Sequence, residues 1–271
     1  MRGQNADSKS KLKFVEGPAK AELGSVGRVD VPLAYRFLDG NSTRALMKAG
    51  GEPVSGQELG FLSPTNEDWS VIFEFSDVGY VKDDEKDKLD ADKLLASIKR
   101  GTAEANKERQ RNGNPPLEIV GWEQTPRYDP ATHNLEWAIR ATTGGQPILN
   151  YNTRLLGRKG VMEVVLIVEP DKLAETLPSF RNLLAGYTFH TGQNYAEYRS
   201  GDKVAKYGLA ALVVGGAAVG AAKLGLFAWF AIFFKKTWKL IIIAFVAVVS
   251  FLKKAIGKLT GGRQQPGPTI Q

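Results

Sequence analysis

The sequence of 271 residues contains no cysteine and only two histidines. The lack of cysteine excludes disulfides, cysteine-ligated zinc or iron–sulfur sites and a thiol nucleophile. Two histidines, His133 and His190, are too few for a site built from several imidazoles. The sequence also lacks a phosphate-binding glycine motif of the P-loop or dinucleotide type. We therefore expect neither a metal ion nor a cofactor.

Acidic residues are scarce in the last quarter of the chain. From Asn194 to Gln271 there are 11 Lys and Arg against 2 Asp and Glu, whereas the preceding part has 25 against 27. The net charge of +7 thus arises in a short C-terminal stretch, which is also rich in apolar residues. Basic residues that flank apolar runs are attracted to anionic lipid headgroups, so we expect a lipid partner and no nucleic acid.

Two apolar runs lie in this C-terminal stretch. Residues 207–234 include one charged residue, Lys223, and no proline, and about 20 apolar residues suffice to cross a bilayer. The second run, 240–252, is uncharged but shorter. We predict a transmembrane helix over 207–234 and a second transmembrane or interfacial helix over 237–256. A buried hairpin of a soluble protein is the alternative, although neither run shows the polar stripe of a water-facing helix.

Aromatic and basic side chains around the second run are expected to lie among the headgroups. These anchoring residues are Trp238, Lys235, Lys236, Lys239, Lys253 and Lys254. In the first run, Gly216 and Gly220 form a small-xxx-small step that would allow close helix packing and a homo-oligomer. If the protein were instead a channel or transporter component, Lys223 would face a water-filled interior.

The remaining sequence predicts an α+β domain over 17–193, between a flexible segment 1–16 and a juxtamembrane linker 194–206, with a flexible tail at 257–271. Strict alternation predicts a half-buried strand over Trp69–Tyr80. Asp90 is a candidate cap for a helix that continues to about Arg111, and Pro170 opens the last helix. Strands in meander order with helices among them predict an antiparallel sheet covered by helices, a sandwich.

Three segments of the sequence resemble a family of uncharacterised membrane-anchored bacterial proteins, defined by a domain of unknown function. They are Gly79–Asp84, Asn150–Arg158 and Gly201–Leu212. The resemblance implies a domain tied to the bacterial inner membrane by a C-terminal helical pair, and it implies no activity. More loosely, the order of elements looks like that of the extrinsic oxygen-evolving subunit of photosystem II, whose fold serves mostly as a binding module.

The side of the membrane on which the domain lies is left open. The excess of basic residues at the outer ends of the two runs favours the cytoplasm. Family members, however, usually begin with a secretion leader, and the first residues of this sequence show no apolar signal region.

Polar residues of one strand form the main candidate for binding. Alternation places Asn150, Asn152 and Arg154 on one face, with Tyr151 on the other. The three polar side chains could hydrogen-bond a peptide or a partner loop, and Arg154 could bind a carboxylate or phosphate with two donors. The structural alternative is that they bond the adjoining turn.

Catalytic chemistry has weaker support. His133 beside a carboxylate would suit a membrane-bound hydrolase, but no serine or cysteine nucleophile motif accompanies it. Acidic residues such as Glu74 and Glu118 are expected on the solvent face of the sheet. We therefore interpret the protein as a non-enzymatic, membrane-anchored interaction or scaffold protein of a bacterial envelope or membrane-associated assembly, with an unidentified protein partner.

Overall fold

The computed structural model describes residues 12–49, 54–111, 113 and 115–215. The strands of this part are β1 Val15–Glu16, β2 Ala19–Leu23, β3 Gly27–Val31, β4 Tyr35–Asp39, β5 Glu58–Pro64, β6 Ser70–Ser76, β7 Leu117–Asp129, β8 Asn134–Thr143, β9 Gln146–Leu156, β10 Val161–Val168 and β11 Tyr187–Phe189. The helices are α1 Gly40–Ala49, α2 Ala91–Arg111, α3 Leu173–Ala185 and α4 Leu209–Val213.

The strands of the described residues form two antiparallel sheets. The larger sheet has eight strands in the order β1-β4-β5-β6-β10-β9-β8-β7, and the smaller has the order β11-β3-β2. β10 lies in the middle of the larger sheet and is apolar at nearly every position, which is typical of a strand covered on both faces. Glu163 interrupts that apolar run.

One face of the larger sheet packs against the smaller sheet and α3. Tyr151 and Phe73 from the sheet meet Phe180 of α3 and Val29 of β3 in the largest apolar cluster. The Tyr151 and Phe180 rings meet edge to face, with ring centroids 5.7 Å apart. This packing joins the two sheets into one layered core.

The opposite face carries two further apolar clusters. Met47 of α1 packs beside Ile72 at one side, whereas Leu94 and Ile98 of α2 pack beside Leu135 at the other. The prediction of an α+β fold with a large antiparallel sheet and covering helices is confirmed. The Asp90 carboxylate accepts a hydrogen bond from the backbone N–H of Lys93, as a cap for α2 should.

Beyond residue 215, the predicted C-terminal hairpin lies outside the described residues. The same holds for the proposed packing step of Gly216 and Gly220, for Lys223, and for the anchoring residues around Trp238. Among the described residues, no helix combines the length and the apolar character needed to cross a membrane. Val15 and Glu16, predicted within a flexible segment, pair with β4 as a short edge strand.

Candidate functional site

The three segments that carry the family resemblance meet in the structure. We call residues 194–213 the C-terminal segment. Tyr80 forms a parallel bridge with Val204 of this segment. The Tyr80 N–H donates to the carbonyl of Lys203 at 2.8 Å, and the Ala205 N–H donates to the carbonyl of Tyr80 at 2.8 Å. The C-terminal segment therefore docks on the chain that follows β6.

Gly79 allows this close approach. Its φ is +93°, which side-chain-bearing residues rarely adopt, and a Cβ there would lie 2.5 Å from the carbonyl oxygen of Lys203. Its N–H donates to the carbonyl of Lys159, in the turn that joins β9 to β10. A glycine at position 79 thus permits contact with both neighbouring segments.

An ion pair fixes the C-terminal segment to the end of β9. Arg158 donates from Nε to Asp202 Oδ2 at 2.7 Å and from a terminal nitrogen to Oδ1 at 2.8 Å. The hydrogen bonds from Arg158 and from the Arg199 N–H lower the pKa of Asp202 to about 2. The bidentate geometry positions both planar groups, which a single contact would not do.

The end of the C-terminal segment is buried in the domain. Leu209, Leu212 and Val213 of α4 have exposed fractions of 0%, 4% and 0% and join the cluster that contains Trp137. The Ala210 N–H donates to the Glu85 carboxylate at 3.2 Å. Residues that the sequence suggested as a linker and as the first turns of a membrane helix are here part of the folded domain.

A column of aromatic rings lies beside the docked segment. Successive ring centroids are 4.3 Å apart from Tyr198 to Tyr80, 4.4 Å from Tyr80 to Tyr195, and 4.4 Å from Tyr195 to His133. The Tyr195 hydroxyl donates to the carbonyl of Val81 at 2.9 Å. Tyr198, at the outer end, remains 39% exposed.

His133 belongs to this column and does not contact a carboxylate directly through Nδ1. Its Nδ1 lies 3.0 Å from the Tyr128 hydroxyl, which donates to Asp83 Oδ2 at 3.1 Å. A carboxylate only accepts, so the single Tyr128 hydrogen goes to Asp83, and His133 Nδ1 must carry a hydrogen that it donates to the Tyr128 oxygen. Burial and the Asp83 contact raise the pKa of Tyr128.

The direct histidine–carboxylate contact is made by the other histidine. His190 Nε2 lies 2.9 Å from Glu22 Oε2, and the Glu22 side chain is 64% exposed. This pair was not predicted from the sequence. Across the described part of the chain, no group of three or more His, Cys, Asp or Glu side chains is arranged to hold a metal ion.

A row of charged side chains crosses the larger sheet on the face covered by α1, α2 and α4. Glu58, Glu74, Glu163 and Arg154 lie directly opposite one another on β5, β6, β10 and β9. We call these four residues the polar row. Glu58 is fully buried, while Glu74 and Arg154 are 5% and 4% exposed. Arg154 binds Glu163 at 3.0 Å.

The hydrogen bonds of the polar row are all satisfied when Glu74 carries a proton. The Ser55 hydroxyl lies 3.1 Å from Glu58 and 3.0 Å from Glu74, yet it has one hydrogen to donate. Glu58 also accepts two backbone N–H groups, and Glu163 accepts from Arg154 and Ser76. Burial, then the charges of Glu163 and Glu58, raise the pKa of Glu74 to about 7.

This burial corrects the expectation that Glu74 faces solvent. Glu118, by contrast, is exposed on β7 as expected. The rest of the row was missed because Glu58 and Glu163 are far from Glu74 in sequence. Glu163 alone gave a local signal, since it is a charged residue inside an otherwise apolar strand.

The three predicted binding residues share one face, as alternation required, and Tyr151 lies on the other. Asn150, Asn152 and Arg154 are only 3%, 6% and 4% exposed. The Asn152 amide donates to the Asn150 carbonyl at 3.2 Å, and the Arg154 guanidinium lies 4.9 Å from the centre of the Trp137 ring. These contacts are internal, so partner binding by the three residues stays a prediction.

The chain belongs to a family of proteins of unknown function, DUF2167, whose model matches residues 15–246. No curated protein matches it. Among solved structures, it is similar to cyanobacterial PsbP (CyanoP) from Synechocystis, with 12% identity, a TM-score of 0.39, and coverage of 70% of this chain and 99% of the other. The resemblance to a family of proteins of unknown function that the sequence suggested is confirmed.

A second similar structure is a protein of unknown function from Pseudomonas aeruginosa, described as a putative regulator. It is 11% identical, with a TM-score of 0.25 and coverage of 61% of this chain and 92% of the other.

Proposed function

We propose that this protein is a non-enzymatic interaction module held at a bacterial membrane by its C-terminal apolar run. The observation that carries the proposal is the burial of α4 in the domain immediately before that run. Leu209 and Val213 are fully buried, and residues 214–234 continue with a single charge, Lys223. About 20 residues of this composition match the thickness of a bilayer.

The contacts of the site favour a structural role for its polar groups. Arg158 is bound by Asp202 and Arg154 by Glu163, so these two cations serve internal ion pairs. His133 contacts the Tyr195 ring and forms a hydrogen bond with the Tyr128 hydroxyl. An anchored module with such an internally bonded site raises the local concentration of its binding surface without needing chemistry of its own.

The anchoring is tested by fractionation of the full-length chain expressed in bacteria. After high-salt and alkaline washes, we expect the protein to remain in the membrane pellet and to need detergent for release. Leu226→Asp places a charge in the apolar run and should shift the protein toward the wash. Leu33→Asp is the matched control, because Leu33 is 75% exposed on the domain. Release of the unaltered chain by alkali would refute the anchoring.

Binding to a protein partner is tested in the same membranes with a photo-crosslinking residue at position 33 or 120. Both positions are exposed, at 75% and 55%. We expect a discrete cross-linked protein at one of them, lost when excess unlabelled domain competes. A smear that competition does not change would contradict a specific partner.

A membrane-bound hydrolase is the second candidate, favoured by the His133–Tyr128–Asp83 chain of hydrogen bonds. Its test is a screen of ester and amide substrates with the detergent-solubilised protein. Turnover that His133→Gln abolishes while Tyr128→Phe only slows it would favour the enzyme. Equal background rates for the unaltered protein and both variants would favour the interaction module.

A further inference from the structure

Almost no residues remain to form a flexible linker between the folded domain and the apolar run. Val213 is fully buried and Val214 packs against the same apolar cluster, so the chain can first leave the domain at residue 215. Residues 216–234 as a helix would extend roughly 30 Å at ~1.5 Å per residue, which is about the thickness of the hydrocarbon core. If this run crosses the membrane, all of its residues are needed to do so. The folded domain then lies directly at the bilayer surface.

The contacts of the C-terminal segment hold it in one orientation. Three contacts tie it to the domain: the Arg158–Asp202 pair, the bridge between Tyr80 and Val204, and the ring contact of Tyr198 with Tyr80. A segment bound at several points moves with the body that it binds. The domain therefore cannot swing freely about the anchor.

The side of the segment that faces solvent has the composition of a membrane interface. Tyr198 and Val204 are 39% and 38% exposed, and Arg199, Lys203 and Lys206 are exposed basic residues. Tyrosine favours the headgroup region, and lysine and arginine are attracted to anionic headgroups.

The acidic groups near this side already have cationic or hydrogen-bonding partners. Asp202 binds Arg158, Asp83 accepts from Tyr128, and the exposed Asp77 lies 3.8 Å from Lys203. Lys203 also donates to the carbonyl of Asp77. Arg199 and Lys206 are thus the cations best placed to reach outward.

From these observations we infer that the exposed side of the C-terminal segment, formed by Tyr198, Arg199, Lys203, Val204 and Lys206, lies against the phospholipid headgroups of the membrane that holds the apolar run. The inference rests on the proposed membrane anchoring. It adds that the domain is oriented on the bilayer surface, with one defined face toward the lipid.

The absence of cysteine in the sequence makes a single-site label straightforward. The full chain carrying Val204→Cys is labelled with a fluorophore and reconstituted into nanodiscs whose lipids carry a headgroup quencher. The matched control is Leu33→Cys. Leu33 is exposed in the turn that precedes β4, at the end of the larger sheet where β6 begins, whereas Tyr80 follows the other end of β6. We expect the label at 204 to lose most of its fluorescence and the label at 33 to keep it.

A second variant tests whether the absence of a flexible linker holds the domain at the membrane surface. A Gly-Ser linker of about ten residues inserted after Val214 would let the domain move away from the surface. We expect this insertion to restore much of the fluorescence at position 204, and nanodiscs with anionic lipid to quench more strongly than zwitterionic ones.

The outcomes separate the two proposals. Failure of the unlabelled chain to enter nanodiscs would overturn the anchoring itself, and the inference with it. If the chain enters but the label at 204 is quenched no more than the label at 33, the anchoring stands and the oriented contact is wrong. Quenching that the linker does not relieve would also overturn the fixed orientation.

Discussion

Arg158 and Asp202 are 44 residues apart in sequence, and their side chains are joined by two hydrogen bonds of 2.7 and 2.8 Å. One residue follows β9, and the other lies in the C-terminal segment just before the apolar run. The pair therefore links the centre of the larger sheet to the part of the chain that we propose leads into the membrane.

Replacing Asp202 with Asn should loosen the C-terminal segment. Arg158 would lose its charged partner, and amide hydrogens of residues 195–206 should exchange faster by on the order of tenfold, since hydrogen bonds to charged groups are stronger than neutral ones. Hydrogen exchange read by mass spectrometry provides the measurement. Unchanged exchange in 195–206 would show that the pair does not hold the segment.

The same pair should persist in moderate acid. The pKa of Asp202 is lowered to about 2 from an ordinary 3.8, so its stabilisation is complete above the unfolded value and is lost only as the pH falls through about 2. We expect the exchange of 195–206, corrected for its intrinsic pH dependence, to be equal at pH 7 and pH 4.5. A loosening already at pH 4.5 would contradict the assignment.

Gly79→Ala should undock the C-terminal segment, because the new Cβ meets the Lys203 carbonyl oxygen and the residue must keep a positive φ. Gly56→Ala is the matched control, since Gly56 has φ +81° and nothing within 4 Å of its Cβ position. The control should cost about 1–2 kcal/mol of unfolding free energy from backbone strain alone. Denaturant titration should show a larger loss for Gly79→Ala, and equal losses would remove the steric argument.

Glu74 should make the domain less stable as the pH rises. Its pKa is about 7 in the folded state against 4.5 ordinarily, so the folded protein holds a proton that the unfolded chain releases between these values. Stability should fall across that window by up to about 3 kcal/mol. Denaturation at pH 5 and pH 8 provides the test.

Glu74→Gln should remove most of this pH dependence and stabilise the protein at pH 8, because the amide is neutral at both values. Glu118→Gln is the control, since Glu118 is exposed on β7. A Glu74→Gln protein that keeps the full loss between pH 5 and pH 8 would show that another group binds the proton.

Arg154→Met should destabilise the domain by about 3–5 kcal/mol, since it leaves the buried carboxylates of the polar row without their cation. Adding Glu163→Met should recover part of the loss, because two apolar side chains replace a buried pair. A double-mutant cycle from denaturant titrations measures the coupling. Strictly additive losses would mean that the pair contributes nothing as a unit.

Local periodicity predicted much of the fold correctly. The strand at β6, the Asp90 cap of α2 and the shared face of Asn150, Asn152 and Arg154 follow from spacing within one element. The expectation that β6 is half buried was wrong, because residues 70–74 are buried on both faces of the sheet. β4 and β5 were not predicted, and neither was the cap of α1, Asp39, whose carboxylate accepts a hydrogen bond from the Ser42 N–H.

The polar row shows why the site was harder to predict. Glu58, Glu74 and Glu163 are brought together by strand register across β5, β6 and β10. Register depends on which strands pair and on the bulge between Glu58 and Gly60, and neither is visible in the residues around each glutamate. Local sequence therefore left each of them as an ordinary acidic residue of a strand.

The sequence by itself determined the alternation of the strands, the helix that Asp90 caps, the absence of thiol chemistry and the concentration of basic and apolar residues at the C-terminal end. Only the tertiary structure decided that Leu209, Leu212 and Val213 pack inside the domain. Apolar residues are driven out of water equally by a protein core and by lipid, so composition alone cannot distinguish the two surroundings. The pairing of Tyr80 with Val204 and of Arg158 with Asp202 makes that distinction, because it brings α4 onto the sheet.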